Sequence, residues 1–149
     1  MPAAIIKRIV LDASVAVAWC FEDEKTPFTE GVLDLLSAGT DALTPAIWPF
    51  EVANALLVAE RRKRISVAQG TALLRRIAGL PISVEPIEAR HAFEQILSVA
   101  RQQNLTEYDA AYLELALRAG VPLATLDGKL REVASFVGVG LVQILNHGT

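Results

Sequence analysis

Four carboxylates of this 149-residue chain stand where a reaction, and not only a turn, would use them. Asp12 directly follows the apolar run Ile9-Val10-Leu11, which reads as a buried strand, so it projects at that strand's carboxyl end. Helix capping is the ordinary alternative for such an Asp, but Ser14 is at hand to serve as that cap. Glu51 interrupts a helical stretch, Ile47–Ala59, in which only it and Asn54 are polar. A carboxylate there is either buried against a partner or lines a polar cleft. Thr106-Glu107-Tyr108-Asp109 has the capping-box pattern, and a carboxylate at a helix start can cap and also face a cation. Asp127 ends the apolar run Leu123–Leu126 and precedes Gly128, so a simple turn is open to it as well.

If the four converge, their repulsion is severe: two unit charges about 4 Å apart interact by roughly 4 kcal/mol at an effective dielectric near 20. Such a cluster must raise its pKa values or bind a cation. Hard oxygen donors with few histidines in the chain suit Mg²⁺ or Mn²⁺ rather than zinc or copper. His91 reads as a helix-surface residue and His147 as tail, and neither lies near these motifs.

The elements that must position these groups alternate. Strands are expected at Arg8–Leu11, Ala42–Thr44, Ile82–Val84, Pro122–Leu126 and Leu141–Leu145. Helices are expected over 14–21, 28–38, from Pro49 to Arg64, from a cap at Ser66 to Ala78, over 89–103, 107–119 and 129–136. Strands separated by helices need crossover connections, which gives an α/β domain: a three-layer α/β/α sandwich with a mostly parallel sheet, one domain over residues 1–149. Such sheets bind ligands at the carboxyl ends of their strands, the edge where Asp12 and Asp127 are expected.

The composition, 52% apolar and 21% charged with net charge −3, is that of a globular chain, not a disordered one. One cysteine, Cys20, excludes an intramolecular disulfide or Cys-cluster zinc site and points to a reducing compartment, the cytoplasm. No stretch reaches the ~20 apolar residues of a membrane span, so no membrane role is expected. The charge is uneven: residues 1–60 carry 3 basic and 9 acidic side chains, residues 61–149 carry 11 and 8. Arg61, Arg62 and Arg64 belong to an acid-free basic run that could grip a phosphate backbone, or could be a solvated helix end. Trp48, Tyr108 and Tyr112 could stack on bases, but such spacings more often mark core or interface.

The segments Ile9-Val10-Leu11-Asp12-Ala13-Ser14, Phe50-Glu51-Val52-Ala53-Asn54-Ala55-Leu56, Leu105-Thr106-Glu107-Tyr108-Asp109-Ala110-Ala111-Tyr112 and Pro122-Leu123-Ala124-Thr125-Leu126-Asp127 occur in that order. Together they resemble the PIN-domain ribonucleases, and among them the VapC-type toxins of prokaryotic toxin–antitoxin systems, over nearly the whole chain. The resemblance implies a metal-dependent endoribonuclease with Asp12, Glu51 and Asp109 as core acidic residues and Asp127 as a more variable fourth. Ser14 and Thr125 fall where small hydroxyls accompany the acids, and Asn54 and Thr106 are grouped with them as supporting residues. It further implies an RNA substrate such as tRNA or another structured RNA, a homodimer, and an antitoxin whose C-terminal segment enters the active-site groove. The non-enzymatic alternative is an inactive PIN-like RNA- or protein-binding module, against which the presence of all four acids argues. A receiver or haloacid-dehalogenase-type phosphotransferase would also place an Asp after its first strand, but neither accounts for Glu51.

Overall fold

The computed structural model describes residues 6–145. Four strands, β1 (Arg8–Leu11), β2 (Asp41–Thr44), β3 (Ile82–Val84) and β4 (Leu123–Ala124), form one sheet in the order β3-β2-β1-β4, every pair parallel. Ile9, Val10, Leu11, Leu123 and Ala124 have no exposed surface, as expected for strands covered by helices on both faces. The chain runs from β1 outward through β2 and β3, then returns to the other side of β1 for β4. That reversal opens a crevice at the carboxyl ends of β1 and β4.

The helices are α1 (Ala13–Trp19), α2 (Pro27–Ser37), α3 (Trp48–Arg61), α4 (Val67–Ala78), α5 (Ala89–His91), α6 (Leu97–Gln103), α7 (Glu107–Ala119) and α8 (Gly128–Phe136). Local chemistry sets several ends. Thr26 and Ser66 cap α2 and α4 through reciprocal bonds with Thr29 and Gln69. Gly120, at φ +66°, closes α7 in the left-handed conformation that costs a glycine nothing.

The expected α/β/α architecture and its parallel sheet are present, with adjustments at the edges. The helix expected over 89–103 contains a π-helical segment, Ala92–Ile96, between α5 and α6. The helix expected to reach Arg64 stops at Arg61, because Lys63 turns to φ +59° and breaks the ladder. The strand expected over Leu141–Leu145 shrinks to a single bridge, Leu123 with Leu141. β4 is only two residues long and offers it little backbone to pair with. β4 itself ends early because the backbone beyond it bonds to side chains: Leu126 N–H donates to Ser14 Oγ and the Thr125 carbonyl accepts from Arg131.

His91 is not a bare surface residue. Its Nε2 lies 2.7 Å from the buried Glu114 carboxylate, which Arg118 also pairs at 2.8 Å, while Arg118 reaches Glu85 at 2.6 Å. His147 lies outside the described residues. Among the described residues no helix is long and apolar enough to cross a membrane.

Candidate active site

Topology alone brings the acids to one edge. α1, α3 and α8 each follow a strand, so each begins at the carboxyl edge of the sheet; α7 feeds β4 and therefore also begins there. Asp12 immediately precedes α1, Glu51 lies in the first turn of α3, Asp109 in the first turn of α7, and Asp127 at the N-cap of α8. All four carboxylates thus face the positive ends of helices, which offsets part of their mutual repulsion.

Asp12 is 6% exposed. It occupies the N-cap position of α1, yet its side chain makes no capping bond, and neither does that of Ser14, which lies inside the helix. Both hydroxyls turn to the carboxylate instead. Ser14 Oγ donates to Asp12 Oδ2 at 2.7 Å and the buried Thr125 Oγ1 donates to the same oxygen at 2.6 Å. Oδ1 accepts no bond among the described residues. The hydroxyls also tie the two strand ends together, since Ser14 accepts from Leu126 N–H and Thr125 accepts from Asp127 N–H, both at 3.0 Å.

Glu51 is half-buried, and its Oε1 accepts a 2.7 Å hydrogen bond from Tyr112. Burial pushes its carboxyl above the ordinary range, Tyr112 pulls it partly back, and the charges of Asp12 and Asp109 push it up again. Asp109 is raised as well, by burial first and then by Asp127 and Asp12, with Lys129 opposing. Charge coupling thus links Glu51 to Asp12 and Asp109, and Asp109 to Asp127 and Asp12.

Only half of the expected capping box forms at α7. Thr106 Oγ1 accepts from Asp109 N–H at 3.1 Å, whereas the Asp109 carboxylate makes no return bond to the Thr106 backbone N–H. Asp127 caps α8 with one oxygen, Oδ1, which accepts from Leu130 N–H at 2.8 Å. Asn54 is exposed, one turn beyond Glu51, and makes no side-chain hydrogen bond among the described residues.

The basic run does not join this site. Arg61 and Arg62 stand ten residues or more from Glu51 on α3, about 15 Å along the axis. Arg64 is committed elsewhere, paired with Asp23 at 3.1 Å and Glu24 at 3.5 Å and stacked 4.2 Å over the Phe21 ring.

Tyr112 is the residue that the sequence undervalued. It has no exposed surface, so it cannot stack on a base; its hydroxyl instead donates to Glu51 and accepts from Ala13 N–H at 3.4 Å. Burial and the neighbouring carboxylates hold its phenol far above its usual pKa, so it is always a donor to Glu51. The only sequence signal was its position three residues after Asp109, which places both on one face of α7. Trp48 is likewise buried, and Tyr108 is exposed.

Among the described residues no three His, Cys, Asp or Glu side chains are gathered closely enough to hold an ion as they stand.

A model of the PIN domain matches residues 9–135. The chain is 35% identical over 124 residues to ribonuclease VapC12 of Mycobacterium tuberculosis, covering 83% of this chain and 90% of that protein. It is 26% identical to ribonuclease VapC3 of Pyrobaculum aerophilum, covering 84% and 93%. The solved structure of VapBC2 from Rickettsia felis, bound to a DNA fragment from its promoter, superposes with a TM-score of 0.64 at 13% identity, covering 93% of this chain and 99% of that one. Strand order, the crevice between β1 and β4, and these likenesses agree: the chain belongs to the PIN domain family, among its VapC-type members.

Proposed function

We propose that the protein is an endoribonuclease acting as the toxin of a VapBC-type pair, dependent on Mg²⁺ or Mn²⁺, with Asp12, Glu51, Asp109 and Asp127 as its catalytic acids. The observation that supports this most directly is the convergence of four carboxylates, from four separate elements, on the one edge of the sheet suited to a ligand. The donor set fits a hard divalent cation: it is all oxygen, it carries excess negative charge, and each acid keeps an oxygen clear of its structural hydrogen bond. Asp12 Oδ1, Glu51 Oε2, Asp109 and Asp127 Oδ2 would hold one or two ions. A bound cation supplies activation of water near neutral pH and neutralisation of charge developing at the phosphate.

The chain's own residues do the rest. Ser14 and Thr125 fix the Asp12 carboxylate in one orientation, and Tyr112 fixes Glu51, so the donors are set before substrate arrives. Tyr112→Phe is expected to fold but to bind Mn²⁺ roughly 10–100-fold more weakly, because Glu51 loses its orienting donor. That bond favours the ionised carboxylate, so without it the Glu51 pKa rises and metal binding begins at higher pH. Calorimetric titration with Mn²⁺ across pH checks both effects; an unchanged affinity and pH dependence would remove Tyr112 from the site.

The test of the whole reading is incubation of total RNA and tRNA with antitoxin-free protein, with Mg²⁺ or Mn²⁺ and with EDTA. Metal-dependent cuts at discrete sites are expected. RNA left intact throughout by folded protein would favour the inactive-module alternative.

A cognate antitoxin partner is proposed from the VapBC complex to which the fold is similar. Homodimerisation, with the cytoplasm as the working compartment, belongs to the same reading. An exposed apolar groove, lined by Phe50, Ile87 and Tyr108 among others, supports association of two copies. Sedimentation at twice the monomer mass is expected, and a monomer at all concentrations would rule the dimer out.

A further inference from the structure

The anionic site still has to attract a polyanion, and the basic run begins only at the far end of α3. Lys129 is differently placed. It lies in the first turn of α8, two residues after Asp127, where a cation is disfavoured by the helix dipole. A lysine at such a position gains nothing from its own helix. Its ammonium crosses instead to the turn between α6 and α7 and donates to the Asn104 carbonyl at 2.5 Å. Asn104 adopts the left-handed conformation there, at φ +53°, two residues before the Thr106 that caps the helix carrying Asp109. The charge is felt at the carboxylates, since Lys129 opposes the upward shift of Asp109.

The other basic side chains with assigned contacts are occupied. Lys25, Arg64, Arg90 and Arg118 pair with carboxylates, and Arg131 holds the Thr125 carbonyl beside the Phe28 ring. Lys129 is exposed and bonded to a neutral carbonyl, with no carboxylate paired to its ammonium among the described residues. A phosphate oxygen is a stronger acceptor than a neutral carbonyl, because the bond becomes charge-assisted on both sides.

We propose that Lys129, poised on the Asn104 carbonyl at the rim between α7 and α8, forms a phosphate-binding subsite that exchanges that carbonyl for a backbone phosphate of RNA next to the cleaved bond. The assignment rests on the ribonuclease reading and deepens it by naming the side chain that seats the substrate. Lys129 takes no part in bond making; it holds the strand across the carboxylates.

The test measures RNA binding apart from cleavage. In an Asp12→Asn background, affinity for a labelled single-stranded oligoribonucleotide of mixed sequence is followed against salt, with Lys129 kept, changed to Gln, or changed to Arg. Lys129→Gln is expected to weaken binding roughly tenfold at low salt. It should also reduce the slope of log affinity against log salt by about 0.7, the value for one contact on a single strand. Arg should restore most of that slope. In the otherwise wild-type protein, Lys129→Gln should raise KM more than it lowers kcat. A reduced melting temperature with an unchanged salt slope would make Lys129 a clamp between α8 and the α6–α7 turn, and would overturn the proposal. If the wild-type protein cuts RNA while the slope and KM of Lys129→Gln match it, only the Lys129 assignment fails. If wild-type protein cuts no RNA with either metal, the ribonuclease reading fails first and the subsite falls with it.

Discussion

Replacing Asp12 by Asn is expected to lower RNA cleavage at least about a hundredfold while leaving the protein folded. The substitution preserves shape in a 6%-exposed position, and the amide oxygen can still accept from Ser14 or Thr125, whose hydroxyls rotate freely. What it removes is one negative charge from the site. Asp12 is among the groups that push Glu51 and Asp109 above their ordinary pKa values, so its loss lets both relax downward. Stability at neutral pH should therefore hold or increase, even as activity disappears. A purely structural Asp12 would show the opposite pairing. Cleavage kinetics beside thermal melts read both quantities, and wild-type cleavage by Asp12→Asn would sink the assignment of Asp12 as a catalytic acid.

Mn²⁺ at a hundredfold excess over its dissociation constant is expected to stabilise the fold by about 2.7 kcal/mol. For a chain of this size that is a rise in melting temperature of roughly 5–10 °C near neutral pH. The sign of the pH dependence follows from the direction of the shifts. Glu51 and Asp109 are raised in the folded state, so between the ordinary carboxylate values and the raised ones the folded protein holds more protons than the unfolded chain. The contribution of these two groups falls as pH rises through that window and becomes a constant penalty above it. A cation relieves the penalty where it is full, and protons compete with the cation where it is not. The Mn²⁺-induced rise should accordingly be largest near neutral pH and shrink towards about pH 5, approaching the ordinary carboxylate range. Asp109→Asn should be more stable than wild type without metal and should respond less to Mn²⁺. Differential scanning calorimetry at both pH values checks this; an equal rise at both, or none, would contradict a shared cation site.

Much of the candidate site was legible in the chain because its signals are local. An Asp after three apolar residues and an isolated Glu in an apolar helix are both anomalies of burial, and burial is what hydrophobic patterning encodes. The parallel sheet followed from the same patterning, because strands separated by helices have few ways to pair. The edges of elements were less legible. β4 stops after Ala124 because Ser14, distant in sequence, and Arg131 on the following helix take over its backbone groups, and no reading of residues 122–126 alone contains that information.

The sequence by itself determined which residues carry charge, which runs are buried, and that helices alternate with strands, since these depend on residue type and short-range spacing. Only the tertiary structure decided how the carboxylates are held. Tyr112 reads as one more core aromatic until α3 and α7 meet and place its hydroxyl on Glu51. Arg64 reads as one cation of a basic run until Phe21, Asp23 and Glu24 come alongside it, and Lys129 as a surface lysine until the α6–α7 turn offers it a carbonyl. The reason is range: a hydrogen bond or an ion pair is satisfied within about 3–4 Å, whatever the separation along the chain. Its partners are therefore chosen by the packing of elements and not by the pattern within any one of them.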